Sequence, residues 1–412
     1  MIIDGNVFCG YYDYSPINAD DELILLHKTT FIDKFPNESD ECEIIIFNLL
    51  NQSSYKIDRT TAWNWQQGSR LQWLGPDFKN KIIYNKLIDK KLKSIIRDIN
   101  SKEERIIDHP IYSICKNGTN AACFDFSRVA NLRESYSYAN LIKNSTTINP
   151  KAGNGVISIN LDSGEYNTIV RIEDLIKIKP LSSMKSGSHW VDSPFISPSG
   201  KTIFFLHRWT TDNKQNGGFY SRIFSVDFTG KNLSLILDSG TANHMTVLDD
   251  ENIIFDGVNA RSLNRFKKYK ILNLLFKIIS PFYQNFILKR EAFRQSLINH
   301  YYYSLSKITK ETKIEIKSLV SMGHPSISPV SKNYFFADTY EDTENYRHLY
   351  LCNRIDQTYK KIESFYSQEK YNGEYFRADL HPKWNVSGNK VIIDIIQNDE
   401  RKVIIKDVKG FF

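Results

Sequence analysis

Apolar positions in this chain fall into short runs separated by polar turns, and one arrangement of them recurs. Gly323-His324-Pro325-Ser326-Ile327-Ser328-Pro329 leads into Asn333-Tyr334-Phe335-Phe336. Asp379-Leu380-His381-Pro382-Lys383-Trp384-Asn385 leads into Gly388-Asn389-Lys390-Val391-Ile392-Ile393. Asp192-Ser193-Pro194-Phe195-Ile196-Ser197-Pro198 leads into Thr202-Ile203-Phe204-Phe205-Leu206. Each copy reads as strand, polar turn, apolar strand. A repeated unit too small to bury its own face signals a radial β-repeat array.

Seven such openings can be placed: Tyr14-Ser15-Pro16, Gln72-Trp73-Leu74, Tyr112-Ser113-Ile114, Ser193-Pro194-Phe195, His244-Met245-Thr246, His324-Pro325-Ser326 and His381-Pro382-Lys383. Each precedes a β-rich run, at 23–26, 81–84, 121–126, 203–206, 252–255, 334–337 and 391–395. Third strands are readable at 43–47, 222–227 and 349–352. The expectation is an all-β, seven-bladed β-propeller formed as a single domain by residues 1–412. Its spacings exceed the roughly 40–50 residues of common propeller repeats, so the excess is inserted sequence. Residues 129–155 read as a polar surface loop. Residues 261–300 read as a basic, amphipathic helical insertion, with nine Lys/Arg against one acid, Glu291, between Arg261 and Arg294. That insertion either packs on the propeller or makes a peripheral contact with an anionic membrane surface.

Composition adds limits. Aromatics at 13% and charged residues at 25% suit a large core with a polar surface. A net charge of +7 agrees with an anionic partner but does not demand one. There is no nucleic-acid motif. The five scattered cysteines form no CxxC pair and read as small core residues of a reducing compartment. With no signal-like N-terminus and no apolar run of spanning length, the expected location is cytoplasmic, with the inner membrane face as the variant.

Three histidines, His244, His324 and His381, stand at equivalent points of the last three openings. Inner strands line a propeller's channel, so the three imidazoles are expected to converge on a site for a divalent metal or an anion. Asp379 is the natural oxygen ligand if a metal binds. His207-Arg208-Trp209 offers a guanidinium fork for a carboxylate beside an aromatic face, and Arg222 is a weaker candidate. Trp63-Asn64-Trp65-Gln66-Gln67-Gly68-Ser69-Arg70 combines indoles and amides, the chemistry that recognises sugars, and Tyr11-Tyr12-Asp13 could contribute similarly. Trp65, Gln66, Gln67, Arg70, Tyr12, Asp13 and His207 are thus candidate substrate contacts.

Taken together, these phrases resemble a family of β-propellers related to oligogalacturonate lyases, many of which belong to bacterial surface-polysaccharide gene clusters. The matching stretches are Gly10-Tyr11-Tyr12-Asp13-Tyr14-Ser15-Pro16, Trp65-Gln66-Gln67-Gly68, Phe126-Ser127-Arg128, Phe205-Leu206-His207-Arg208-Trp209, Gly323-His324-Pro325, Ala337-Asp338-Thr339-Tyr340 and Asp379-Leu380-His381-Pro382-Lys383-Trp384. The resemblance covers nearly the whole chain outside 261–300. It implies an enzyme acting on an acidic, uronate-type oligosaccharide or polysaccharide by β-elimination. By blade position it implies His244 as base, Arg208 or Arg222 as the nearby arginine, and His324 and His381, with Asp379, as ligands of a manganese ion. The family's further ligands near the last histidine are reduced here to Asp379 and His381, and Ser193 replaces its other blade-four polar residue. A hydrolase or transferase using the same pocket, or a non-catalytic glycan-binding scaffold, is the alternative.

Overall fold

The computed structural model describes residues 1–141, 149–210, 219–238, 242–258, 300–372 and 376–411. Its strands form seven four-stranded antiparallel sheets among the described residues, each running outward from an inner strand. Blades 1 to 6 open on Val7–Phe8, Gln72–Trp73, Ser113–Ile114, His189–Ile196, Met245–Val247 and Pro325–Ile327. Blade 7 opens on Lys383–Trp384 and closes on Ile2–Ile3, which pairs with Glu400–Asp407 and so fastens the two ends of the chain. The architecture is the expected propeller.

Middle strands here are apolar on both faces because each sheet is packed between two others. Leu23–Lys28 buries Ile24, Leu25 and Leu26 in succession, and Lys390–Gln397 buries Val391 through Ile396. Outer strands such as Ser54–Thr60 and Thr358–Tyr366 are largely exposed. All five cysteines are buried and unpaired, in keeping with their reading as core residues. No helix among the described residues is long and apolar enough to cross a membrane. Residues 259–299, with nearly all of the expected helical insertion, lie outside the described residues, and His300 already belongs to the strand His300–Ser306.

Two expectations change. Blade 1 does not open at Tyr14-Ser15-Pro16. Its inner strand is Val7–Phe8, and Ile17 contributes only a bridge to Ile24. Between them the chain leaves the sheet, because the Asp394 carboxylate accepts the amides of Cys9 (2.8 Å) and Gly10 (3.2 Å). Gly10 makes the turn at φ +103°, which places Tyr11 and Tyr12 against the channel histidines. The segment after residue 125 is not simply a polar surface loop either. Asp125 caps a helix, α1 (Phe126–Leu132), with Phe126, Val129 and Ala130 buried, and Ser135 to Tyr138 are buried as well. Arg128 donates to the carbonyls of Asn149, Ala152 and His189, which ties the segment down.

Buried imidazoles also run through the blade interfaces. His27 accepts the amide of Ser69 at Nε2, and burial lowers its pKa to about 3. His189, held down by burial, sits at about 4. Unfolded histidines protonate near pH ~6.5, so between there and about 3–4 the unfolded chain binds more protons than the native one. Stability therefore rises with pH across that window. The melting temperature, followed by scanning fluorimetry, is expected to fall steadily as pH is lowered from about 6.5 to about 4. An unchanged melting temperature would contradict neutral burial.

Candidate active site

The inner openings of blades 5, 6 and 7 bring three imidazoles together. Ring centroids of His244 and His324 are 4.1 Å apart, and those of His324 and His381 4.3 Å. A single buried carboxylate, Asp338 at the end of blade 6's second strand, organises two of them. It accepts the His324 amide (2.6 Å) and His324 Nδ1 (3.0 Å), and its other oxygen accepts the His381 amide (3.0 Å). The carboxylate only accepts, so His324 carries a proton on Nδ1 and turns Nε2 away from Asp338. Gly323 makes this approach possible, since a Cβ there would lie 1.9 Å from the Asp338 carbonyl oxygen. His381 holds a left-handed φ of +43°, uncommon for a residue with a side chain, with its carbonyl accepting from the buried Lys383 ammonium at 2.8 Å.

His324 Nε2 and His381 Nε2 are both buried without a hydrogen-bond partner. With Asp379 they place their ligand atoms within 4.8 Å of one another, the one such group among the described residues. Two orphaned imidazole nitrogens beside a carboxylate are a donor set suited to a divalent ion. Burial opposes ionisation of Asp379, yet Arg377, paired at 2.9 Å, and Arg347 hold its carboxyl below the usual range. His381 is pushed well below the ordinary imidazole value by burial, then by His324 and Lys383, so it stays neutral and able to ligate.

His244 lies beside a second carboxylate, with its amide 2.6 Å from Asp256 Oδ1 and its Nδ1 3.2 Å from the same oxygen. Burial and His324 lower its pKa, while Asp256 opposes the shift, so the imidazole is neutral near pH 7. Arg208 is anchored next to it through the Asn243 carbonyl (3.1 Å) and pairs with Asp192 at 2.7 Å. Arg133, just past α1, reaches the same Asp192 oxygen at 2.7 Å and lies 3.7 Å from the centre of the Tyr136 ring. Tyr136 accepts from Arg377 (3.2 Å), while Tyr340 stands 6.3 Å from His244 and 6.0 Å from His324. Tyr12 packs on His324 at 5.0 Å and exchanges hydrogen bonds with the Met245 backbone.

Other candidates from the sequence have different work. Trp65 is not a sugar platform: it is buried, bonded to the Lys34 carbonyl, and covered by Arg401 at 3.7 Å. Gln66 supports the Arg377 carbonyl and Gln67 the Tyr112 hydroxyl. Arg70 is fully buried, clamped by Asp13 at 2.5 Å and the Tyr112 carbonyl at 2.7 Å, so Asp13 and Arg70 brace the wall. His207 is bonded to His189 (3.0 Å) and Arg222 (3.3 Å) inside blade 4. Arg222 is spent on the carbonyls of Leu175, Ile178 and Lys179, so of the two candidate arginines only Arg208 stands beside His244. Sequence reasoning missed Arg133, Asp192, Asp256, Tyr136 and Arg377. The signal available for Asp256 and Asp338 was their common place at the inner side of a second strand.

The described residues thus define a seven-bladed propeller with a histidine-lined channel site. No family model matches the chain, and no curated protein matches it by sequence. Among solved structures, it is similar to an oligogalacturonate lyase in complex with manganese (TM-score 0.62, 11% identity, covering 98% of this chain and 91% of that one). It is also similar to the oligogalacturonate lyase of Vibrio parahaemolyticus (0.61, 12%, covering 100% and 92%). The β-propeller domain of the Trilobed protease from Pyrococcus furiosus matches at 0.51 and 12%, covering 97% and 98%. At these identities the likeness establishes the fold, which serves several chemistries.

Proposed function

We propose that this propeller is a lyase-like enzyme acting on an acidic, uronate-bearing glycan, with His244 as the proton-abstracting base. The observation that carries the reading is the convergence of a neutral His244, the orphaned Nε2 atoms of His324 and His381, and the Arg208–Arg133 pair on one channel end. His324, His381 and Asp379 would hold a divalent ion, manganese by analogy with the neighbour's complex, and that ion supplies positive charge for a uronate carboxylate. Arg208, which shares Asp192 with Arg133, would neutralise a carboxylate or the charge that develops on it.

In this scheme His244 takes the proton on the carbon next to the carboxylate. The freed electron pair forms the ring double bond as the bond to the leaving glycosyl oxygen breaks. That oxygen requires one proton, the number His244 has gained, so the step is balanced without water or a redox partner. Tyr340, raised far above the ordinary phenol value by burial and by Asp379, remains protonated beside the histidines.

Incubation with a panel of acidic oligosaccharides is expected to generate the ultraviolet absorbance of an unsaturated uronate, and chelation is expected to abolish it. Full activity after exhaustive chelation would remove the metal from the scheme. The near-complete burial of His324 (1% exposed) and His381 (2%) favours a second reading, a binding propeller that does no chemistry. Saturable binding of an acidic glycan without any product would select it.

A further inference from the structure

Each channel histidine stands across its blade from an aspartate of the second strand, one step beyond the pairs Met245–Phe255 and Pro325–Ala337 for His244–Asp256 and His324–Asp338. In blades 6 and 7 both oxygens of that carboxylate are hydrogen-bonded, to backbone amides and to a ring or ammonium nitrogen. Asp338 spends its second oxygen on the His381 amide of the next blade, and Asp394 spends both on Cys9, Gly10 and Lys383. Asp256 departs from this use. Its Oδ1 takes the His244 amide, but its Oδ2 is buried with no hydrogen bond and faces His300 Nδ1 at 3.6 Å. His244 Nδ1 and His300 Nδ1 are likewise buried without an aligned partner. Three orphaned polar atoms therefore meet at one carboxylate. They do not gather tightly enough to join the metal-holding group found among the described residues.

We infer that Asp256 is the positioning carboxylate of His244 and that His300 completes it, forming a His244–Asp256–His300 set behind the channel. Resting on the elimination proposed above, this assigns His244 one tautomer, with its proton on Nδ1 towards Asp256 and its lone pair on Nε2 for the substrate. When Nε2 takes a proton, the imidazolium is stabilised by the Asp256 carboxylate 3.2 Å away, a contact that tightens as charge appears. His300 Nδ1, 3.6 Å from Oδ2 and not hydrogen-bonded to it at rest, would donate its proton there as the set tightens. Burial resists ionisation of Asp256, and the two imidazoles overcome it, keeping the group an anion well below the carboxylate range. Asp256 and His300 act through His244 and do not touch substrate.

The test is Asp256→Asn in the full-length protein. The amide oxygen can still accept the His244 backbone N–H, so the fold is expected to survive, while the neutral amide holds the Nδ1 proton far less strongly than the carboxylate does. Two readouts are taken. Imidazole nitrogen chemical shifts of labelled protein, recorded without substrate, are expected to move His244 from a single Nδ1–H tautomer to a mixture. With a turned-over uronate, kcat is expected to fall by about 10²–10⁴-fold while KM changes little. His300→Gln is expected to give a smaller kcat loss, on the order of 10-fold, with the same direction in the shifts. An unchanged His244 tautomer in a folded Asp256→Asn protein overturns the inference. If Asp256→Asn does not fold, an unchanged tautomer in His300→Gln does so. A tautomer change on Asp256→Asn, when the wild-type protein processes no uronate, supports the arrangement and rejects the elimination instead.

Discussion

Replacing His244 with alanine is expected to lower turnover of an acidic oligosaccharide by about 10²–10⁴-fold, the range for loss of a general base, with binding changed far less. The imidazole is neutral near pH 7 because of its burial and the neighbouring His324, so the wild-type group is ready to accept a proton without prior deprotonation. Measuring kcat and dissociation constants separately decides the point. Binding lost together with turnover would make His244 a ligand-contacting residue, and normal turnover would remove it from the chemistry. Arg208→Ala, by contrast, is expected to weaken a carboxylate-bearing sugar more than its reduced, uncharged analogue, since its proposed partner is the carboxylate.

The largest structural effect is expected at Asp338. Its carboxylate holds the His324 amide, the His324 ring and the His381 amide at 2.6, 3.0 and 3.0 Å, all out of water. Asp338→Ala strands those donors across the joint between blades 6 and 7, and a cost of about 3–5 kcal/mol follows for breaking a buried charged arrangement from one side. Urea unfolding should show the midpoint falling accordingly. The same change frees the His324 tautomer, so manganese affinity measured by calorimetry is expected to drop by about 10–100-fold in the protein that remains folded. Unaltered stability would mean that water replaces the carboxylate and that Asp338 does not fasten the blades.

Much of the propeller was legible because its blade openings carry local turn chemistry and its middle strands are continuous apolar runs. Six of the seven openings were placed correctly for that reason. The first was not, since what pulls Cys9 and Gly10 out of the sheet is Asp394, hundreds of residues away in sequence. The histidines were found because their register repeats. Their convergence follows from the inner strands sharing a channel, whereas the roles proposed for them rest on chemistry still to be measured. Arginines were harder. His207 and Arg208 are neighbours on one strand and so point to opposite faces. Arg208 reaches the channel and His207 the interior of blade 4, where Arg222 joins it. Tryptophan beside amides reads alike whether an indole covers a sugar or a guanidinium, and here Trp65 covers Arg401. Arg133 gave no local sign at all, because its partner Asp192 and its platform Tyr136 meet it only in the folded chain.

The reaction type is open to direct measurement by digesting an acidic oligosaccharide in heavy-oxygen water and weighing both products. Elimination breaks the glycosidic bond without adding water. The account predicts that one product carries an unsaturated terminal uronate, lighter by one water than the saturated fragment hydrolysis would give, with no solvent oxygen built in at cleavage. Products that both retain saturated ends, one of them carrying a heavy oxygen from solvent, would contradict it and make the channel site a hydrolase.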